Sequence, residues 1–187
     1  MSPPSTTLQD ALRGAYAINR FRTVSQDAAF GIRQIVDMAL RALSPGINDT
    51  TTAVTCVDYL TAILAKIAAR TLPDPPRYES GELRVIALGD TFAGLVSDSF
   101  DQIRESAKGN LAMQLRLLEA LDTIGSLTTS GERRQVLLQQ ARQVAELAER
   151  TIEAPQDLVR FRERLEKVRS VLDAKPRSPL PVQSVTD

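Results

Sequence analysis

At 187 residues the chain has the length of one domain, and its 23 Lys+Arg against 23 Asp+Glu leave no net charge, which excludes the basic footprint of a dedicated nucleic-acid binder. It has no histidine, so histidine-based triads, metal ligands and proton shuttles are excluded within the chain, and its one cysteine closes no internal disulfide. The most apolar stretch, residues 59–69, is interrupted by Thr61 and Lys66, and residues 1–7 carry no leader segment; no bilayer span and no secretory signal are expected, and the chain as given reads as cytoplasmic.

Residues 1–7 and 174–187 are rich in Pro, Ser and Thr with little to bury, and both ends are expected to be disordered. Over residues 8–173 apolar residues recur at helical spacing and strict alternation is scarce, which predicts one all-α, bundle-like domain with at most one or two short strands. It divides into a core unit at 22–70, a linker at 71–82 and C-terminal helices at 90–173.

A short helix is predicted over residues 7–17, where Leu8, Leu12, Ala15 and Tyr16 share a face. The second helix has a clearer start. Thr23 and Gln26 have the form of a capping box, Asp27 suits the positive helix terminus, and the helix runs to about Leu43. Its apolar residues Ile32, Ile35, Val36, Met38, Ala39, Leu40, Ala42 and Leu43 span an arc of roughly 200° at about 100° per residue, which predicts cover on most sides. Arg33, Gln34, Asp37 and Arg41 remain as a narrow polar stripe.

Ser44-Pro45-Gly46-Ile47-Asn48-Asp49 predicts a tight corner: Pro45 disfavours helix at Ser44, Gly46 permits a positive φ, and Asn48 or Asp49 can cap the next helix. That third helix, over residues 49–70, carries Ala53, Val57, Leu60, Leu64 and Ile67 as a seam for the second. Pro73, Pro75 and Pro76 end it and open an exposed linker through Ser80 and Gly81. Residues 83–88 are the only persuasive strand, whose partner is sought in residues 17–21, in a second copy of the chain, or in something outside it.

Asp90 or Thr91 can cap a fourth helix with Phe92, Leu95, Val96, Phe100 and Ile103 on one face, and Lys108-Gly109-Asn110 breaks it. The fifth, from Asn110, has Leu111, Leu115, Leu118 and Leu121 as its stripe, and the sixth buries Val136, Gln140 or Ala141, Val144, Leu147 and Ala148. Pro155 suits the first turn of a seventh, whose face is Leu158, Phe161, Leu165, Val168 and Leu172. The last two form an antiparallel hairpin.

The densest chemistry lies at residues 22–58. Gln26, Asp27, Arg33, Asp37, Arg41, Asn48, Asp49 and Asp58 form a polar cluster that is either an ion-pair network holding the corner or a pocket in which arginines meet a small anion. As a network, it makes Asp37 the counter-charge of two arginines, and Asp37→Ala should lower thermal stability markedly. Asp27, Asp37, Asp49 and Asp58 are also the carboxylates a magnesium-dependent enzyme would draw on, although Asp is the usual occupant of caps and first turns. Ser44 reads as a turn residue and Cys56 as a small buried hydrophobe. The helix after the corner begins Asp-Thr-Thr-Thr, with the wrong charge for a DNA-recognition helix, and the arginines of residues 160–169 are interleaved with acids as on a solvated face.

Arg22-Thr23-Val24-Ser25-Gln26-Asp27-Ala28-Ala29-Phe30-Gly31-Ile32-Arg33-Gln34-Ile35-Val36-Asp37-Met38-Ala39-Leu40-Arg41-Ala42-Leu43-Ser44-Pro45-Gly46-Ile47-Asn48-Asp49 resembles the signature of a bacterial family of predicted membrane proteins, domain-of-unknown-function family 2254. The likeness continues through Thr51-Thr52-Ala53 and Cys56-Val57-Asp58, returns at Ser99-Phe100-Asp101-Gln102-Ile103-Arg104, and covers about residues 15–150; Thr50 stands where the family pattern has Pro. The resemblance implies membrane-anchored longer relatives, of which this chain looks like the C-terminal helical part. It brings no activity and no cofactor.

The function expected is therefore that of a non-catalytic interaction or regulatory domain, with itself or another protein as partner, no nucleic acid, and a membrane reached only through a missing N-terminal region or a partner. A small-anion-sensing module is the alternative, and a carboxylate and magnesium enzyme the third.

Overall fold

A computed structural model describes residues 27–72, 75–87 and 89–174, together with Thr6, Thr7, Asp10 and Gly14. Most of the helix expected over residues 7–17, the strand candidate at 17–21, the Thr23 and Gln26 capping box, and nearly all of both termini lie outside the described residues. The elements are α1 (Ala28–Ala42), α2 (Thr50–Ala68), β1 (Pro76–Glu79), β2 (Glu82–Ile86), α3 (Phe92–Ser106), α4 (Leu111–Leu127), α5 (Gly131–Thr151) and α6 (Pro155–Asp173). This is the expected all-α domain with one minor sheet.

Each helix starts where a short polar side chain accepts a hydrogen bond from an orphan first-turn amide. Asp27 accepts from the Phe30 N–H at 2.9 Å, Asp49 from Thr52 at 3.0 Å, Thr91 from Gly94 at 3.0 Å, Asn110 from Met113 at 3.2 Å and Ser130 from Arg133 at 3.3 Å. The exception is α6, which begins with Pro155 and has no side-chain cap. Asp27, expected in the first turn of its helix, is thus itself the cap of α1.

The corner between α1 and α2 is tight, but its positive φ falls on Asn48 (49°) and not on Gly46. Asn tolerates this region because its short carboxamide bonds locally. The Asn48 N–H donates to Ser44 O at 2.8 Å and the Asp49 N–H to Ala42 O at 2.8 Å, while Ser44 Oγ donates to Arg41 O at 2.7 Å as a turn residue.

The core is continuous from Ile32 to Leu172. α4 is its hub and packs on α2, α3, α5 and α6; α1 lies on α2 and α3, α3 meets α5, and α5 pairs with α6 as expected. That centrality explains why α4 buries Met113, Gln114, Leu117, Ala120, Ile124 and Gly125 besides the expected Leu118 and Leu121. α1 is the opposite case. Only Ile32, Val36, Ala39 and Ala42 are buried and Met38 is 50% exposed, and among the described residues α1 packs on two helices, α2 and α3.

Among the described residues the strand finds its partner within the chain, and residues 17–21 lie outside them. β2 pairs antiparallel with β1, inside the stretch expected to be linker, through Pro76↔Ile86, Arg77↔Val85, Tyr78↔Leu83 and Glu79↔Glu82. Ser80 and Gly81, at φ 52° and 83°, form the turn, a primed geometry that matches the twist of two strands.

Candidate functional site

The residues of the predicted polar cluster occupy separate places. Asp27 and Asp49 cap α1 and α2. Arg33 Nε meets Asp37 Oδ1 at 2.9 Å on the outer face of α1, with both side chains about half exposed, and Arg41 is exposed further along. Asn48 is exposed in the corner, and Gln26 lies outside the described residues. Asp58 turns the other way and pairs with Arg116 on α4, which also meets Glu119 at 2.8 Å. The four aspartates considered for a divalent cation are thereby dispersed. Cys56 is buried, and desolvation pushes its thiol pKa up.

The Asp49 carboxyl is shifted by its capping contacts. The Thr52 hydroxyl, and then the Thr52 N–H at 3.0 Å, hold its pKa below the ordinary carboxylate value. Its role is to start α2.

Sequence reasoning missed a pair of arginines. Arg133 Nη1 donates to the carbonyls of Ile67, Ala68 and Arg70 at 3.2, 2.9 and 2.7 Å, closing the C-terminal end of α2, and its guanidinium lies 5.3 Å from the Phe92 ring centroid. Arg134, 7% exposed, donates Nη1 to Val171 O at 2.7 Å and Ala174 O at 2.8 Å at the end of α6, and Nε and Nη2 to Thr128 O at 3.3 Å. A second missed group joins α3 to α5. Asp101 accepts from Gln140 at 2.9 Å and from Ser97, while Arg104, 3.5 Å from Asp101, donates to Gln143.

A cleft of about 720 Å³ lies between the end of α2, the base of the hairpin, the start of α3 and the α4–α5 turn. Arg70, Arg77 and Arg133 line it together with Asp90 and Glu132. The N-termini of α3 and α5 open on the same cleft through Thr91 and Ser130, so amide dipoles add to the cations there. Its chemistry suits a small anion, and its arginines are not those of the predicted cluster.

Apolar exposure concentrates on the hairpin. Tyr78, Leu83, Val85 and Ile86 are 65%, 50%, 56% and 60% exposed, and among the described residues no helix makes more than marginal contact with either strand. Among the described residues α2 alone is long and apolar enough to cross a membrane, with 19 residues and a mean hydropathy of 1.3; this amends the expectation that no segment qualifies. Here it packs against α1, α3 and α4.

No solved structure matches the chain. An uncharacterized protein of Mycobacterium tuberculosis strain H37Rv and one of Mycobacterium bovis are each 35% identical over 150 residues, 80% of this chain and 29% of the relative, so the chain spans under a third of the length of these relatives. A family model described as predicted membrane protein (DUF2254) matches residues 2–123, ending within α4 and before the α5–α6 pair that covers it. The chain belongs to the DUF2254 family of predicted membrane proteins.

Proposed function

We propose that the chain is a non-catalytic association domain of this membrane-protein family, in which the helical bundle is the base and the β1–β2 hairpin the docking element. One observation supports this above all: the five residues of β2 are exposed, and Tyr78, Leu83, Val85 and Ile86 carry large apolar side chains that no helix among the described residues covers. Two strands alone are marginal in water, and an unprotected strand edge is a template for another chain. A photo-crosslinking amino acid placed at Leu83 should form protein adducts in cells, whereas the same probe at Val159, an apolar residue 53% exposed on α6, should not. Equal yields at the two positions, or none at either, would overturn the reading.

The cleft supports a second reading, a small-anion sensor that uses Arg70, Arg77 and Arg133. A thermal-shift screen of phosphates, nucleotides and dicarboxylates separates the two, because a ligand selective for the native state raises the apparent melting temperature. A stabilising anion whose effect is lost in Arg70→Ala establishes the sensor; no stabilisation removes it.

A further inference from the structure

We propose that the cleft between α2, α3 and α5 is a site for a phosphate monoester, with Arg70, Arg133 and the first-turn amides of α3 and α5 as its donors. The inference rests on the anion reading of the cleft and names the anion.

Two guanidinium charges in the cleft meet no carboxylate. Arg70 follows the end of α2, and its side chain has no hydrogen-bond or ion-pair partner among the described residues. Arg133 is anchored: Nη1 donates to three carbonyls at the end of α2 and the guanidinium lies against the Phe92 ring, while Nε and Nη2 have no acceptor among the described residues. By taking those carbonyls Arg133 also offsets the negative end of α2, which would otherwise repel an anion. Asp90 and Glu132 line the cleft as well, but among the described residues neither pairs with Arg70 or Arg133. Arg77 lines it too, already has a partner, and is not required.

The two helix starts add neutral donors. In α3 the Thr91 hydroxyl takes the Gly94 N–H and the Thr91 carbonyl that of Leu95, which leaves the amides of Phe92 and Ala93. In α5 the Ser130 hydroxyl takes the Arg133 N–H and the Ser130 carbonyl that of Arg134, which leaves Gly131 and Glu132. Thr91, Phe92, Ser130 and Glu132 all line the cleft, so both starts open on it. Donors thus come from three elements. A planar carboxylate has two oxygens and is satisfied by one guanidinium fork, whereas a phosphate monoester presents three terminal oxygens and takes donors from several directions. A volume of about 720 Å³ is more than inorganic phosphate fills and matches small-molecule sites of about 300–1,000 Å³, so the phosphate is one end of a larger molecule.

Gly131→Pro isolates one amide donor. Gly131 is the first residue of α5, where Pro is well tolerated, an added Cβ meets nothing within 4 Å, and Ser130 before it is already extended at ψ 122°. The variant therefore keeps the fold and deletes an N–H. Arg70→Ala, at an exposed position, removes a charge without touching a helix start. Calorimetric titration of the full chain with glycerol 3-phosphate, and with succinate as the carboxylate control, tests the inference. The phosphate ester should bind about tenfold or more tightly than succinate, and each variant should lower its affinity about tenfold while the melting temperature of the ligand-free chain is kept. Cosedimentation with phosphatidylcholine vesicles, with and without phosphatidic acid, separates a lipid head group from a soluble ester as the source. The chain has no net charge, so capture by phosphatidic acid that is lost in both variants reports the cleft and not a general attraction. Succinate binding as tightly as the ester, or ester binding unchanged in Gly131→Pro, would overturn the phosphate site while the anion reading stands. Binding of neither anion, with no capture by phosphatidic acid, would overturn both.

Discussion

Arg133 and Arg134 are neighbours at the start of α5, yet they close the C-terminal ends of two different helices, α2 and α6. The carbonyls they reach are among the last of each helix, which have no partner within it. α5 thereby links the α1–α2 side of the bundle to the α6 side through side chains one residue apart.

Arg134→Met should be the costlier change. It keeps the apolar stem but leaves the buried Thr128 carbonyl, and the part-buried bonds to the Val171 and Ala174 carbonyls, without their donor, a loss of about 2 kcal/mol. Arg133→Met, at a wetter position, should cost about 1 kcal/mol. Because the two arginines serve different helix ends, the double variant should lose about the sum, and urea unfolding monitored by circular dichroism measures all three.

Gly125→Ala should destabilise although Ala is the better helix former. A Cβ on Gly125 would overlap Leu172 Cδ2, and Leu172 is 2% exposed in the contact between α4 and α6. Overpacking of this kind costs about 1–3 kcal/mol, whereas the helix propensity gained is under about 1 kcal/mol. Pairing it with Leu172→Ala should recover part of the loss by making room, and the double-mutant cycle gives the coupling directly.

Asp37→Ala should change stability by no more than about 0.5 kcal/mol. The Arg33–Asp37 pair is an i,i+4 contact with both side chains half in water, where screening removes most of its value. This replaces the expectation that Asp37 anchors the corner. An unchanged melting temperature is the expected result; a fall of several degrees would restore the ion-pair network.

Periodicity made most helices legible, and its failures have physical causes. The faces of α3 (Phe92, Leu95, Val96, Phe100, Ile103) and of α6 (Phe161, Leu165, Val168, Leu172) are buried as the spacing implied. How wide each face is depends on how many neighbours a helix acquires, and nothing local encodes that: Met38 belongs to an apolar arc and still faces water, while Gln114 at the hub is fully buried. The dispersal of the polar cluster has the same origin, since Asp58 found Arg116 only because α2 packs on α4. A signal for Arg133 and Arg134 was present. Two cations in the first turn of a helix oppose that helix's own dipole, which indicates that they serve other elements. Ser80-Gly81 was likewise a turn dipeptide between two short runs, and as such it marks the hairpin within the expected linker.

The cap of α2 should weaken in acid. Asp49 has its pKa lowered in the folded chain, first by the Thr52 hydroxyl and then by the Thr52 N–H, so the ionised form is the one the fold stabilises. Its contribution is therefore complete above the ordinary value of 3.8 and is lost as pH falls from there through the lower folded value. Protonation removes the acceptor charge at the positive end of α2, and the first turn at Thr50 to Thr52 should fray before the rest of the helix. A carbon-detected titration of the Asp49 carboxyl, with amide exchange at Thr52, reads both effects. In Thr52→Val the hydroxyl is absent while the backbone donor stays, so the Asp49 midpoint should move up toward 3.8 without reaching it. A midpoint unmoved by Thr52→Val would mean that the hydroxyl does not hold the carboxylate, and that the amide alone starts the helix.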